Sequence, residues 1–189
     1  SKARINYQML QTLSDMTDEE IGRLTQQTVE EIETIGSDYQ TTMRLLGATD
    51  YNTDKSCFQE ALTIYPELFK DQYSRDVLKQ TKKSLVKQAK AGRLRVNGHY
   101  TFLSPDLYAF CEWLFLGEQN PKGLLEDGQV YCRNYRDGDE LACLRSPHLY
   151  REWPIRNNVR NEELDRWFGM TKCVYTSCHD TISRILQFD

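Results

Sequence analysis

The sequence predicts an α+β protein in which a helical first part is packed on a β-rich second part. Two observations carry this. Apolar residues over the first ninety positions recur at helical steps of three and four, and after Gly92 the pattern changes toward two-residue alternation. The change of period places a boundary near residue 91, with 1–91 a helical linker or neck and 92–189 a β-rich domain. At 189 residues, 39% hydrophobic and 28% charged, the chain has the material for a buried core.

The first helix starts near Ile5, with Met9, Leu10 and Leu13 on one face. Thr17-Asp18-Glu19-Glu20 is a capping box, in which the hydroxyl accepts from a free N–H and Glu20 reaches back. Three acids there also oppose the positive helix end. The stripe Ile21, Leu24, Thr28, Ile32, Ile35 follows, Gly36-Ser37 interrupts it, and Asp38 to Leu46 resumes it before Gly47. Residues 56–64 form a short helix before Pro66, because the position before a proline is pushed out of helical geometry. A longer helix spans about 72 to 90, with Leu78, Leu85 and Ala89 inward.

Beyond Gly92, residues 93–97 and 99–103 alternate about Asn97-Gly98, a hairpin signal. Ser104-Pro105-Asp106 reads as a helix start, and Leu107, Phe110, Cys111, Leu114 and Phe115 give a helix face before Gly117. Residues 129–135 and 140–144 flank Arg136-Asp137-Gly138-Asp139, a second hairpin signal. Asn161 caps a short helix ending near Phe168, and 173–176 and 185–188 read as strands.

Six scattered cysteines in a chain of this size read as reduced thiols of a cytoplasmic protein. No run of about 18 apolar residues marks a membrane helix, and no cationic apolar leader is visible. Net charge is −4, so the whole is no basic nucleic-acid binder. The charge is uneven: residues 1–75 carry 7 basic and 13 acidic side chains, and residues 76–189 carry 17 and 15. Lys79, Lys82, Lys83, Lys87, Lys90, Arg93 and Arg95 follow one another with no acid between them. Residues 79, 83, 87 and 90 fall along one side of a helix, with 82 beside them, opposite its apolar stripe, where the lysines could line a phosphate backbone or simply keep a surface solvated.

Arg145-Ser146-Pro147-His148 closes a strand with a proline turn that would fix the direction of a guanidinium suited to a phosphate or ribose hydroxyl. An ion pair with Glu140 or Glu152 would explain Arg145 equally well. Arg151, Arg156 and Arg160 with Asn157-Asn158 make a cationic, amide-rich loop that could touch nucleic-acid backbone or balance Glu152, Glu162 and Glu163. Cys173-x4-Cys178-His179-Asp180 lacks the close cysteine pairs of a structural zinc site, and His99 and His148 read as structural.

Four features in order resemble the catalytic half of the double-psi β-barrel, or two-barrel, RNA polymerases, especially the eukaryotic-type RNA-dependent RNA polymerases and their bacterial and phage relatives. Ile5-Asn6-Tyr7-Gln8 with Leu10 and Leu13 resembles the opening of that family's helical linker. Residues 85–95 and then Gly128-Gln129-Val130-Tyr131 resemble the entry to the second barrel. Leu144-Arg145-Ser146-Pro147 is similar to the family's Arg-x-Pro turn, and Leu186-Gln187-Phe188-Asp189 to the strand feeding its Asp-x-Asp-Gly-Asp metal loop. The histidine after the proline is out of the family's order, so no role is transferred to His148.

The resemblance implies template-directed RNA synthesis with two Mg²⁺ ions in the intact protein. Its partners would be a nucleic-acid template, an RNA product and nucleoside triphosphates. Asp189 would be the first metal-loop carboxylate, catalytic and metal-binding, and Arg145 a nucleotide contact. Lys79, Lys82, Lys83, Lys87, Lys90, Arg151 and Arg156 would contact nucleic acid. A chain that ends at the first carboxylate of such a loop is expected to be inactive alone. The competing expectation is a non-catalytic module that binds nucleic acid or a partner protein; a third is a structural domain of a mobile-element protein.

Overall fold

A computed structural model describes residues 3–145 and 153–181. The strand expected at 185–188, the turn residues Ser146, Pro147 and His148, and the candidates Arg151 and Asp189 lie outside the described residues. The chain divides into two compact units, residues 1–98 and 99–189. Helices in the first and a five-stranded mixed sheet in the second make it an α+β protein.

In the first unit, α1 (Tyr7–Gln11) starts at Asn6, whose side chain accepts from Met9 N at 3.1 Å. The capping box at Thr17 begins α2 (Asp18–Thr34): Glu20 accepts from Thr17 N at 2.8 Å, and Thr17 Oγ1 from Glu20 N at 3.3 Å. Gly36 takes φ +88° and ends the run, after which Asp38 caps α3 (Tyr39–Leu45). Helix α4 (Cys57–Ile64) has a second capping box, Ser56 with Gln59. Gln59 also donates to Leu46 O at 2.8 Å, so one amide both caps a helix and ties down the preceding loop. A 3-10 turn, Pro66–Lys70, leads to Asp71, the cap of α5 (Gln72–Lys90). Met43, Ala48 and Leu62 are buried together, with Leu46, Phe58, Leu68 and Phe69 packed around them.

The hairpin expected about Asn97-Gly98 is absent. A two-residue hairpin of that kind needs left-handed backbone at the turn, and neither residue has a positive φ. Residues 94–98 pair instead with the start of the chain: Ile5 N donates to Leu94 O at 2.9 Å, Val96 N to Ala3 O at 3.1 Å and Ala3 N to Gly98 O at 2.9 Å. This pairing buries Ala3, Ile5 and Leu94, which a local hairpin would leave without a common partner.

In the second unit, β1 (Leu103–Pro105) runs into α6 (Leu107–Leu116); then come β2 (Gln129–Cys132), β3 (Glu140–Ala142), β4 (Ile155–Asn158), α7 (Glu162–Phe168) and β5 (Val174–Thr176). The sheet order is β1-β5-β2-β4-β3. β1 is parallel to β5 and β2 to β4, while β2 is antiparallel to β5 and β3 to β4. The second expected hairpin is therefore split, with β4 lying between β2 and β3. The reason is Asn158, fully buried at the end of β4. Its amide accepts from Cys132 N at 2.7 Å and donates to Arg136 O at 2.9 Å, closing the end of β2 and the turn after it. Its backbone takes the rest: Gly138 N donates to Asn158 O, and Asn158 N to Asp139 O, both at 2.8 Å.

Helix α6 is capped by Asp106 rather than Ser104, and Pro105 closes β1 instead of opening the helix. The Asp106 carboxylate is buried and accepts four backbone N–H groups, from Tyr108, Ala109, Leu124 and Leu125, at 2.7–3.1 Å. Gly123, at φ +66°, lets the 124–125 backbone approach, since a Cβ there would lie 2.6 Å from Asp106 Oδ2. The apolar face expected on α6 stays open: Phe110 is 48% exposed, Leu114 50% and Phe115 75%, and the helix buries Ala109. The core of this unit is Leu125, Tyr131, Leu164, Phe168 and Tyr175, with the Phe168 and Tyr175 rings stacked at 4.3 Å.

Candidate nucleic-acid interface

Asp71 sets the phase of α5 by accepting from Tyr73 N at 2.9 Å. From that start, positions 74, 78, 81, 85 and 89 fall on the inner side, where Ser74 is buried and the others are half-buried. Lys79, Lys83, Lys87 and Lys90 fall on the opposite side, with Lys82 beside them nearer the inner stripe, and all five are exposed. Among the described residues none of the five enters an ion pair. At 1.5 Å per residue the ridge from Lys79 to Lys90 is about 16 Å long. One DNA strand carries a phosphate every 3.4 Å of axis, so about five phosphates span the same length. Lys87 and Lys90 also lie in the last turn, where they complement the helix dipole.

Arg93 is exposed beyond the end of α5, and Arg95 leaves the ridge. Its side chain is 10% exposed and its guanidinium is bound to Glu31 of α2, while its backbone N donates to Thr28 Oγ1 at 2.8 Å.

The remaining candidates stand in the second unit. Arg145 is half-buried. Arg156 makes three hydrogen bonds within the fold: Nε and Nη2 bind the two oxygens of Asp180, the latter at 2.9 Å, and Nη1 donates to Ile155 O at 2.8 Å. The hydrogen bonds to Asp180 push the Arg156 guanidinium still higher than usual, so it stays charged throughout. Arg160 is bidentate on Asp165, which also accepts from the Tyr131 hydroxyl at 2.7 Å. Burial, then the bond to Asp165, pushes the Tyr131 phenol up to about 12. Two arginines of the cationic loop read from the sequence are thus ion-paired, Arg156 in a buried pair and Arg160 in one nearer the surface.

The Cys178-His179-Asp180 turn anchors the loop before β2. Ser177 Oγ donates to Leu125 O at 2.8 Å, and the His179 ring lies 2.8 Å from Lys122 O. Among the described residues no group of three or more His, Cys, Asp or Glu side chains could hold a metal. All six cysteines are free thiols, and burial pushes Cys143 up to about 11, far from a nucleophile's range. Sequence reasoning named Asp106, Asn158 and Asp180 without finding the roles they take here, as a four-fold acceptor, a strand-closing amide and the partner of Arg156. Their one signal was a short polar residue at the edge of a predicted helix or strand.

The arrangement defines an α+β chain with an exposed basic helix. No family model matches the chain. All 189 residues align, at 52% identity, with a stretch of the DNA-directed RNA polymerase YonO of Bacillus phage SPbeta. The chain spans 22% of that relative's length. The chain is thus similar along its whole length to a stretch of that polymerase.

Proposed function

We propose that the chain is part of a template-directed RNA polymerase that, in the intact protein, transfers nucleotidyl groups to an RNA 3′ end. The observation that carries this reading is the 52% identity over all 189 residues with a stretch of a protein named a DNA-directed RNA polymerase. A DNA template is taken from that relative's name. In this reading the second unit belongs to a double-psi β-barrel, and the partners are template, RNA product and nucleoside triphosphates.

The α5 ridge would run along nucleic-acid backbone, with Arg151 as a further contact. Arg156 would contact nucleic acid only through the N–H groups that Asp180 and Ile155 leave over. Arg145 would face the incoming nucleotide. Asp189 would be the first carboxylate of a loop that holds Mg²⁺ in the intact protein. Among the described residues no group of His, Cys, Asp or Glu side chains fits the ion. The chain alone is proposed to be inactive.

Exposed lysines confined to one side of α5 also suit a non-catalytic nucleic-acid-binding module. A chimera separates the two readings. Replacing the matched stretch of the phage polymerase with this chain is expected to leave templated RNA synthesis intact. A chimera that folds and binds DNA but makes no RNA would favour the module.

A further inference from the structure

Glu31, Arg44 and Arg95 make an arrangement in the first unit that the ridge does not use. Arg44 Nη2 lies 2.9 Å from Glu31 Oε1, and Arg95 Nη1 binds the same oxygen. One carboxylate oxygen therefore serves two guanidinium groups. Both Glu31, at 12% exposure, and Arg95, at 10%, are withdrawn from water, whereas Arg44 is 39% exposed and reaches the surface. The buried Nε of Arg95 has no hydrogen-bond acceptor. Arg4 bridges Arg95 across an antiparallel pair, which brings the two side chains to one face. Burial and the neighbouring Arg4 charge both lower the Arg95 guanidinium from its usual value.

A desolvated guanidinium with an open donor is costly to leave unmatched. A planar fork of N–H groups fits an oxyanion that offers several acceptor oxygens. We propose that Arg44 and Arg95, flanked by Arg4, form an anion site that takes a phosphate group. Arg44 is the exposed entry, Arg95 the buried donor, and Glu31 bridges the two until the ligand competes for them. The phosphate could belong to a nucleic-acid backbone or to a free nucleotide. The inference stands apart from the polymerase reading, since it needs neither template nor catalysis.

The test is an NMR titration of the arginine Nε–H resonances of the 189-residue chain with inorganic phosphate. A saturable shift at Arg95 is expected. Arg44→Gln should weaken it about tenfold, the loss of one charge-assisted hydrogen bond. Glu31→Gln should tighten it, because a competing negative charge is removed, whereas a purely structural ion pair predicts no phosphate binding in either variant. If Glu31→Gln fails to fold, exposed Arg44 still provides the test. Competition by an oligonucleotide without terminal phosphate assigns the site to backbone; competition by a nucleoside triphosphate alone assigns it to nucleotide. An Arg95 resonance unmoved by phosphate, oligonucleotide and triphosphate in the folded chain would overturn the proposal.

Discussion

Neutralising the middle of the α5 ridge should change how nucleic-acid affinity responds to salt. With all five lysines on phosphates, the slope of log K against log salt is about −3.5 for a single strand and about −4.5 for a duplex. Raising salt from about 50 to about 200 mM would then weaken binding roughly 100- to 500-fold. Lys82→Gln, Lys83→Gln and Lys87→Gln together leave two contacts, a slope of about −1.4 to −1.8, and a loss of only about 7- to 12-fold over the same range. The three side chains are exposed and in no ion pair among the described residues, so the helix should be unharmed. Fluorescence anisotropy with a labelled oligonucleotide across a salt series measures the slopes, and circular dichroism checks the helix. An unchanged slope in the folded triple variant would refute the ridge as the contact surface and favour a purely structural domain.

Other outcomes concern the second unit. Asp106→Ala strips a buried acceptor from four backbone N–H groups and removes the cap of α6. A loss of about 3–5 kcal/mol is expected in urea unfolding, and a loss under 1 kcal/mol would contradict the role given to this residue. Asp180→Asn breaks the pair with Arg156 while leaving the guanidinium largely covered, which should cost about 3 kcal/mol or more. For Tyr131 the folded-state value lies above the ordinary 10.0, at about 12. The native state therefore holds this proton longer than the unfolded chain, and its contribution is full below about pH 10 and lost as pH rises toward 12. Tyr131→Phe should remove that alkaline step from the stability profile; an identical profile in the variant would show that another group causes it.

The local chemistry was legible, and the long-range pairing was not. Thr17 with Glu20, Asn161, and the glycines after α2, α3 and α6 mark ends that a few neighbouring residues decide, and the structure has them there. The ridge was legible because helical periodicity alone puts its lysines on one side. Asn97-Gly98 misled because its turn propensity is weaker than the burial gained when Ile5 and Leu94 pair across ninety residues. The split of β2 from β3 could not be seen, since it rests on one buried amide, Asn158, twenty-six positions from its partner Cys132. The partner of Arg156 was hidden for the same reason: Asp180 is 24 residues away. The α6 face shows the converse limit, for apolar periodicity marks a face without saying what covers it.

The account rests most heavily on Asp189 as a polymerase carboxylate. The direct measurement is RNA synthesis by the phage-polymerase chimera carrying Asp189→Asn in the transplanted chain, beside the unaltered chimera. The account predicts synthesis by the unaltered chimera, its loss in the variant, and the same DNA affinity in both. Undiminished RNA synthesis by the Asp189→Asn chimera would contradict it.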